Sequence, residues 1–232
     1  MHAPDGFIDL TTSVATGAVA VAVVGLSLRG ARRELDDRTA PMAGLVAAFV
    51  FAVQMINFPV GAGTSGHLMG GALAAVLVGP WTGVLAITCV LVVQALLFSD
   101  GGLTALGTNV ATMGLATVLA GYLGFRVVVA VLPRRQSSVV LASFVGAFVS
   151  VPAAALLFVG LYAVGGTTPV ALGSVLGAML GVHLLIGAGE AVITALTVAT
   201  VLAARPDLVH GARGLLPRSR LEVRPSPLST GP

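Results

Sequence analysis

Charged residues are scarce in this chain. Only 9% of its 232 residues are Asp, Glu, Lys or Arg, while 56% are hydrophobic and the mean hydropathy is +1.02. A soluble domain carries about 25% charged residues, so this chain has too few charges to cover a surface that faces water. The deficit excludes a soluble enzyme. Apolar runs of about 20 residues instead indicate a polytopic helical membrane protein.

Lysine is absent from the chain, and cysteine occurs once. All 12 basic residues are arginine, and a Walker A phosphate-binding loop requires a lysine. ATP-driven work would therefore need another chain to hydrolyse the ATP. The single cysteine, Cys89, excludes an intrachain disulfide and a thiolate cluster. The net charge of +3 does not indicate nucleic-acid binding, because membrane topology accounts for the arginines.

The arginines predict how the helices are oriented. With seven crossings and the N-terminus outside, every arginine falls in a cytoplasmic segment, as the positive-inside rule requires. Six crossings would place the last two groups of arginines outside. We therefore predict an all-α fold: a polytopic bundle of seven transmembrane helices, N-out and C-in, in the cytoplasmic (inner) membrane. The helices are expected in the apolar runs at about 8–28, 41–59, 70–79, 81–98, 107–132, 138–164 and 169–203.

The membrane domain is predicted to cover residues 1–204, with a metal-binding segment at 1–9. The tail at 205–232 is rich in Arg, Pro and Ser, and we expect it to be cytoplasmic and disordered because it is too polar to form a core. The breaks at 60–69 and 99–106 are Gly-rich and almost uncharged. Non-helical backbone at membrane depth is tolerated where it lines a cavity, so these two loops predict a pocket on the outer face.

The first residues predict a free amine beside a histidine. No basic region precedes the first apolar run, which is not the pattern of a cleavable signal peptide. His2 is large, so we expect Met1 to be retained. The Met1 amine, the His2 amide nitrogen and the His2 imidazole can close two fused chelate rings around a metal ion.

A second imidazole is available on the same face. The predicted topology places His67 outside, together with His2. Three nitrogens in one plane and a fourth from His67 form a tetragonal N₄ set, which is typical of Ni(II) or Cu(II). Co(II) also fits if the protein enforces the shape. We predict that Met1, His2 and His67 are the metal ligands.

Further polar residues are predicted to line this pocket. His183 and Glu190 are seven residues apart in the last apolar run, so they project from one helix face. Ionisable groups inside a span are functional candidates, but these two could equally clamp helices together by a hydrogen bond. Gln94 has the same ambiguity, and Asp100 is expected to be solvated. The predicted pocket residues are Ser65, Asn109, His183 and Glu190.

Two other functions compete with metal capture. Gly63 to Gly66 match the G-x-S-G pattern, and His183 lies on a later helix. A Ser65–His183 dyad would make the chain a rhomboid-like intramembrane serine protease, in which the histidine activates the hydroxyl. The second alternative is a small-molecule permease or binding component, whose ligand would be indifferent to His2.

Four stretches in order resemble one family. The opening MHAPDGFID resembles the Met-His-x-Pro-Asp-Gly start of CbiM/NikM proteins, the substrate-binding (S) components of energy-coupling factor transporters for cobalt and nickel. The other stretches are GTSGHLMGGALAAVLVGPW, LLFSDGGLTALGTNVATMG and GVHLLIGAGEAVITA. Together the four span residues 1–195.

The resemblance implies the following functions. The family's ligand set corresponds to Met1, His2 and His67 here, with Co²⁺ or Ni²⁺ as the transported substrate and no organic cofactor. The chain would be a transporter subunit and not an enzyme. Its implied partners are a transmembrane coupling (T) subunit, ABC ATPase subunits that hydrolyse ATP, a small accessory membrane subunit in some systems, and the lipid bilayer. Nucleic acid is not an expected partner.

Overall fold

The computed structural model describes residues 1–37, 39–59 and 65–216, with the backbone alone at 58, 59 and 65. The described chain is a helical bundle with one two-stranded antiparallel ribbon of β1 (Phe58–Pro59) and β2 (Ser65–Gly66). The helices are α1 (Leu10–Glu34), α2 (Ala40–Gln54), α3 (Gly71–Val78), α4 (Pro80–Leu97), α5 (Leu106–Val131), α6 (Gln136–Gly165) and α7 (Leu172–Ala204).

Five of these helices are long and apolar enough to cross a membrane: α1, α4, α5, α6 and α7. Their outer faces carry many exposed large apolar side chains, such as Val131 at 78% and Leu185 at 75%, which suits contact with lipid. At 1.5 Å per residue, the 15 residues of α2 reach about 22 Å and the eight of α3 about 12 Å. A hydrocarbon core is about 30 Å thick, so a prediction of seven crossings depends on these two shorter helices.

Helix α3 lies at the centre of the bundle. All eight of its residues are buried, and it contacts α2, α4, α5, α6 and α7. At its end, Gly79 adopts a left-handed backbone (φ +102), and α4 begins directly at Pro80. The loop that carries His67 leads into the start of α3, so the central helix fixes the depth of that loop.

Two local features shape the surroundings of the site. Asp9 caps α1 by accepting the backbone N–H of Thr12 (2.7 Å), which is a favoured N-cap arrangement. In α5, the stretch Val110–Ala116 is π-helical. Single π-turns inside helices are frequent at functional sites, and Asn109 lies immediately before this one.

The first part of the predicted tail packs on the helices. Residues 206–208 and 210–212 form short 3₁₀ turns, and Val209 between them is fully buried. Arg213 donates a hydrogen bond to the backbone carbonyl of Glu34 (3.2 Å). This docked stretch runs to residue 216, and the rest of the predicted tail, 217–232, lies outside the described residues.

Candidate metal centre

The N-terminal segment, residues 1–9, is inserted into the bundle. Met1 and Ala3 are fully buried and His2 is 5% exposed. The backbone N–H of Phe7 donates to the carbonyl of Pro4 (3.2 Å) and closes a tight turn, with Gly6 in the left-handed region (φ +75). This turn lets the chain enter the bundle with residues 1–3 and leave it again into α1.

Loops from distant parts of the chain hold this turn in place. The carboxylate of Asp5 accepts two hydrogen bonds from Thr104, one from the backbone N–H (2.7 Å) and one from the hydroxyl (2.6 Å). The backbone N–H of Thr167 donates to the carbonyl of Phe7 (3.2 Å). The segment is therefore tied on both sides of its turn.

Ala3 is held by both ends of one amide side chain. Asn109 accepts the Ala3 N–H at Oδ1 (2.8 Å) and donates from Nδ2 to the Ala3 carbonyl (3.2 Å). The same carbonyl accepts the backbone N–H of Gly102 (2.9 Å). Asn109 is 1% exposed, so its two hydrogen bonds with Ala3 are shielded from water. These contacts fix the backbone directly after His2.

The two predicted histidine ligands lie side by side. Nδ1 of His2 is 3.1 Å from Nε2 of His67, and the ring centroids are 4.6 Å apart. Nδ1 of His2 is also 3.1 Å from a carboxylate oxygen of Asp100. Nε2 of His2 lies 3.2 Å from Oε1 of Gln94.

These partners assign the ring protons. A carboxylate oxygen only accepts, so with no ion bound Nδ1 of His2 donates to Asp100 (3.1 Å), and an ion at Nδ1 would displace this proton. His67 donates from Nδ1 to the carbonyl of Leu68 (2.8 Å), which leaves the lone pair on Nε2. Once the His2 proton is displaced, two bare nitrogens face each other. Adjacent ligands about 2.0 Å from one metal ion are about 3 Å apart, so the spacing suits two imidazoles on neighbouring positions of one ion.

The burial of the segment also sets its charge. Burial lowers the pKa of the Met1 amine from 8.0 to about 4, although the nearby Asp100 opposes the shift. Burial also holds the pKa of His67 well below its ordinary value of 6.5, with further lowering from the amine and His2. The hydrogen bond with His2 lowers the pKa of Asp100. Near neutral pH the Met1 amine and the His67 ring are therefore uncharged, and each offers a nitrogen lone pair beside the carboxylate of Asp100.

The remaining predicted pocket residues take different positions. The Glu190 carboxylate accepts the backbone N–H groups of Met69 and Gly70, just after His67. His183 donates from Nδ1 to the carbonyl of Met179 in its own helix (2.7 Å), and its buried Nε2 has no hydrogen-bond partner in the described part of the chain. The pocket prediction for Ser65 concerns a side chain outside the described residues.

The competing protease site is not described either. Gly63 and Thr64, and the side chain of Ser65, lie outside the described residues. The structure therefore gives no geometry for a dyad with His183.

Sequence reasoning missed the direct partners of His2. Gln94 was ambiguous by pattern, and Asp100 was expected to be solvated, yet both contact the His2 ring and the Asp100 side chain is only 18% exposed. The sequence feature that could have pointed to Gln94 is a glutamine inside an apolar run. For Asp100 the signal is a carboxylate one residue before a Gly-Gly pair, but the contact depends on the folded position of His2.

The described side chains alone do not make up a metal site in this pocket. Across residues 1–37, 39–59 and 65–216, no three side chains of His, Cys, Asp or Glu form a metal-binding group. Two imidazoles and a carboxylate do meet here, but Asp100 is engaged with His2. The amine of Met1 and the amide of His2 would complete a set of four nitrogens.

Comparison with known proteins gives a consistent result. Residues 2–208 match the family described as the cobalt uptake substrate-specific transmembrane region. The chain is 40% identical over 211 residues to a predicted metal transport protein of Haloquadratum walsbyi, covering 90% of this chain and 93% of that one. It is 39% identical over 212 residues to a predicted fused nickel transport protein, NikMN, of Archaeoglobus fulgidus, covering 90% of this chain and 68% of the relative.

A solved structure shares the fold. The crystal structure of a transition metal transporter superposes with a TM-score of 0.81 at 32% identity, covering 88% of this chain and 93% of the other. The family match spans most of the chain, and the relatives cover the same region. The chain therefore belongs to the CbiM/NikM family of cobalt and nickel transport proteins.

Proposed function

We propose that this chain is the substrate-binding (S) component of an energy-coupling factor transporter, and that it captures Co²⁺ or Ni²⁺ from outside the cell. The metal ligands are the Met1 amine, the deprotonated amide and Nδ1 of His2, and Nε2 of His67. The chain selects and delivers the ion and performs no covalent chemistry.

The observation that carries this proposal is the His2–His67 contact. Nδ1 is the ring nitrogen that can close a six-membered chelate ring with the His2 amide, and it is the nitrogen that lies 3.1 Å from Nε2 of His67. In a planar N₄ set, the His67 nitrogen lies opposite the amide and next to Nδ1. The contact thus joins the two positions that the chelate requires to be adjacent.

The proposed ligand set also constrains the cargo. Raw affinity for nitrogen ligands favours Cu²⁺, so selection must come from geometry. A planar arrangement with an ionised amide favours a late divalent ion and disfavours Zn²⁺, which prefers a tetrahedral site. The printed names of the family and its relatives concern cobalt and nickel.

The proposed orientation places this site on the outer face. With seven crossings, N-out and C-in, the 12 arginines face the cytoplasm. The cargo then enters from outside and leaves when partner ATPases and a coupling subunit drive a rearrangement. A chain without lysine has no Walker A loop of its own, and the fused NikMN relative is consistent with a small accessory membrane partner.

Extending the N-terminus tests the proposal. One glycine before Met1 converts the chelating amine into an amide. We expect the chain beginning at Met1 to bind one Ni²⁺ or Co²⁺ ion in isothermal titration of the purified, detergent-solubilised protein. The extended chain should lose more than the roughly 10- to 100-fold that removal of a supporting hydrogen bond costs.

The matched control is one glycine added after Pro232, at the other terminus. It should bind like the original chain. Equal metal affinity of the chain beginning at Met1 and of the glycine-extended chain would refute the amine ligand. If neither chain binds an ion, the transport role is refuted. Titrations with Zn²⁺ and Cu²⁺ alongside show whether geometry selects the ion.

A further inference from the structure

The loop that carries His67 is held from two helices at once. The Glu190 carboxylate, on α7, accepts the backbone N–H groups of Met69 (2.6 Å) and Gly70 (3.0 Å). The Gln54 side chain, at the end of α2, donates from Nε2 to the carbonyl of Met69 (2.7 Å). Both side chains are almost completely buried.

These bonds pair backbone groups at the N-cap of α3 and in the residue before it, which the helix itself does not pair. Gly70 is the N-cap of α3, adopts a left-handed backbone (φ +78), and offers no side chain as a cap. The first N–H groups of a helix have no partner within it. Serine or asparagine at position 70 would accept an N–H group further into the helix, so the N–H groups of Met69 and Gly70 depend on Glu190. A carboxyl group inside a membrane protein is costly and marks a functional candidate.

The held peptide is adjacent to the metal ligand. Met69 is two residues after His67, and the carbonyl of Leu68 between them accepts the Nδ1 proton of the His67 ring. The backbone bonded to Glu190 therefore continues into the peptide that orients the ring. Outer hydrogen bonds of this kind orient ligand rings and tune the bound metal.

The two helices are separated beside the loop. A small cavity of about 10 Å³, the space of roughly one water molecule, lies there, lined by Phe49 and Val53 of α2, by Ile193 and Thr194 of α7, and by Leu68 and Leu73. Movement of either helix would pull on the Met69 peptide.

We propose that Glu190 and Gln54 are positioning residues for His67, and that they couple the metal affinity to the relative position of α7 and α2. The proposal rests on the proposed function, because it assumes that His67 is a ligand. In this proposal Glu190 is not itself a ligand of the ion. It acts by fixing the backbone that presents Nε2 of His67.

The test compares two buried glutamates in the full chain. Glu34 also accepts two backbone N–H bonds at a helix start, from Trp81 (3.2 Å) and Thr82 (2.7 Å), but it contacts the start of α4 instead of the His67 loop. We expect Glu190→Gln to weaken Ni²⁺ binding roughly 10- to 100-fold, with faster release of the ion to a chelator and a changed absorption spectrum of the bound metal. Glu34→Gln should leave affinity, release rate and spectrum within about twofold of the original.

Thermal unfolding of both variants separates positioning from folding. The proposal is supported if both variants lose thermal stability but only Glu190→Gln binds the metal more weakly. Gln54→Leu removes the other bond to Met69 and carries the same test if Glu190→Gln does not fold. It should weaken binding in the same direction.

Three results would overturn the proposal. Unchanged affinity and spectrum in Glu190→Gln and Gln54→Leu would do so while leaving the metal ligands intact. An equal metal defect in Glu34→Gln would show a general loss of folding. An original chain that binds no ion would remove the proposed function together with this inference.

Discussion

Asn109 offers a quantitative test of how the N-terminal segment is held. Replacing it with leucine keeps the volume and removes both bonds to Ala3. The Ala3 carbonyl keeps the N–H of Gly102 (2.9 Å), but the Ala3 N–H loses its 2.8 Å partner in a buried site. An unpaired buried N–H costs about 1–3 kcal/mol, and the second, longer bond contributes about 1 kcal/mol.

The sum is about 2–4 kcal/mol against insertion of the segment. At about 1.4 kcal/mol for each factor of ten, Asn109→Leu should weaken metal binding by about 30-fold to several hundred-fold. Isothermal titration with Ni²⁺ at fixed pH measures the change. The thermal midpoint of the metal-free protein should fall by a smaller and separate amount.

Thr108 supplies the matched control. It is the preceding residue on α5, fully buried, and its hydroxyl lies 3.0 Å from that of Thr16 on α1. Thr108→Val therefore removes a buried hydrogen bond without touching the segment, and it should destabilise the fold with little change in affinity. The idea that Ala3 is held for metal binding would be contradicted if Asn109→Leu bound Ni²⁺ as tightly as the unsubstituted chain. It would also be contradicted if Thr108→Val lost as much Ni²⁺ affinity as Asn109→Leu.

Two further predictions concern the same segment. The Met1 amine has a pKa of about 4 when buried and 8.0 when free; because the buried value is depressed, insertion is fully favoured above pH 8 and loses about 1.4 kcal/mol per unit as the pH falls towards 4. Since the buried amine is already neutral between pH 8 and pH 5, the proton released on metal binding comes from the His2 amide, so metal affinity should fall about tenfold per unit over this range, and a flat titration series would refute the ionised amide ligand. Gly102→Ala places a methyl group against the backbone of Pro4 and Asp5 and should weaken Ni²⁺ binding, whereas Gly25→Ala, with open space around it, should not; equal affinities would show that the segment does not need this close approach.

Hydropathy predicted most helices but misplaced the ends of two. The run expected at 8–28 continues as helix to Glu34, because a polar stretch with three arginines can stay helical where it leaves the apolar layer. The run expected at 41–59 ends as helix at Gln54. A hydropathy profile detects solvent preference along the chain, and neither helical continuation nor a β-ribbon depends on that preference alone.

Some residues of the candidate site could be predicted from the sequence and others could not. Met1, His2 and His67 follow from coordination chemistry and from one face of the predicted topology, and the structure places the two histidines in contact. Gln94, Asp100 and Gln54 could not be assigned, because their partners come from segments far apart in the sequence. Contacts of that kind depend on tertiary packing, which a single sequence does not reveal.

The tie between Asp5 and Thr104 shortens the part of the N-terminus that can move. Only four residues lie beyond it, and they reach at most about 14 Å. If the ion is held by the proposed ligands, the three nitrogens at the tip of this arm meet His67 at an effective concentration in the millimolar range or above. An ion that loses the His67 nitrogen stays on the arm and is recaptured before it diffuses away. On that ligand set we expect delivery to require the whole arm to leave its pocket, so that the docking of residues 1–4 limits the residence time of the ion.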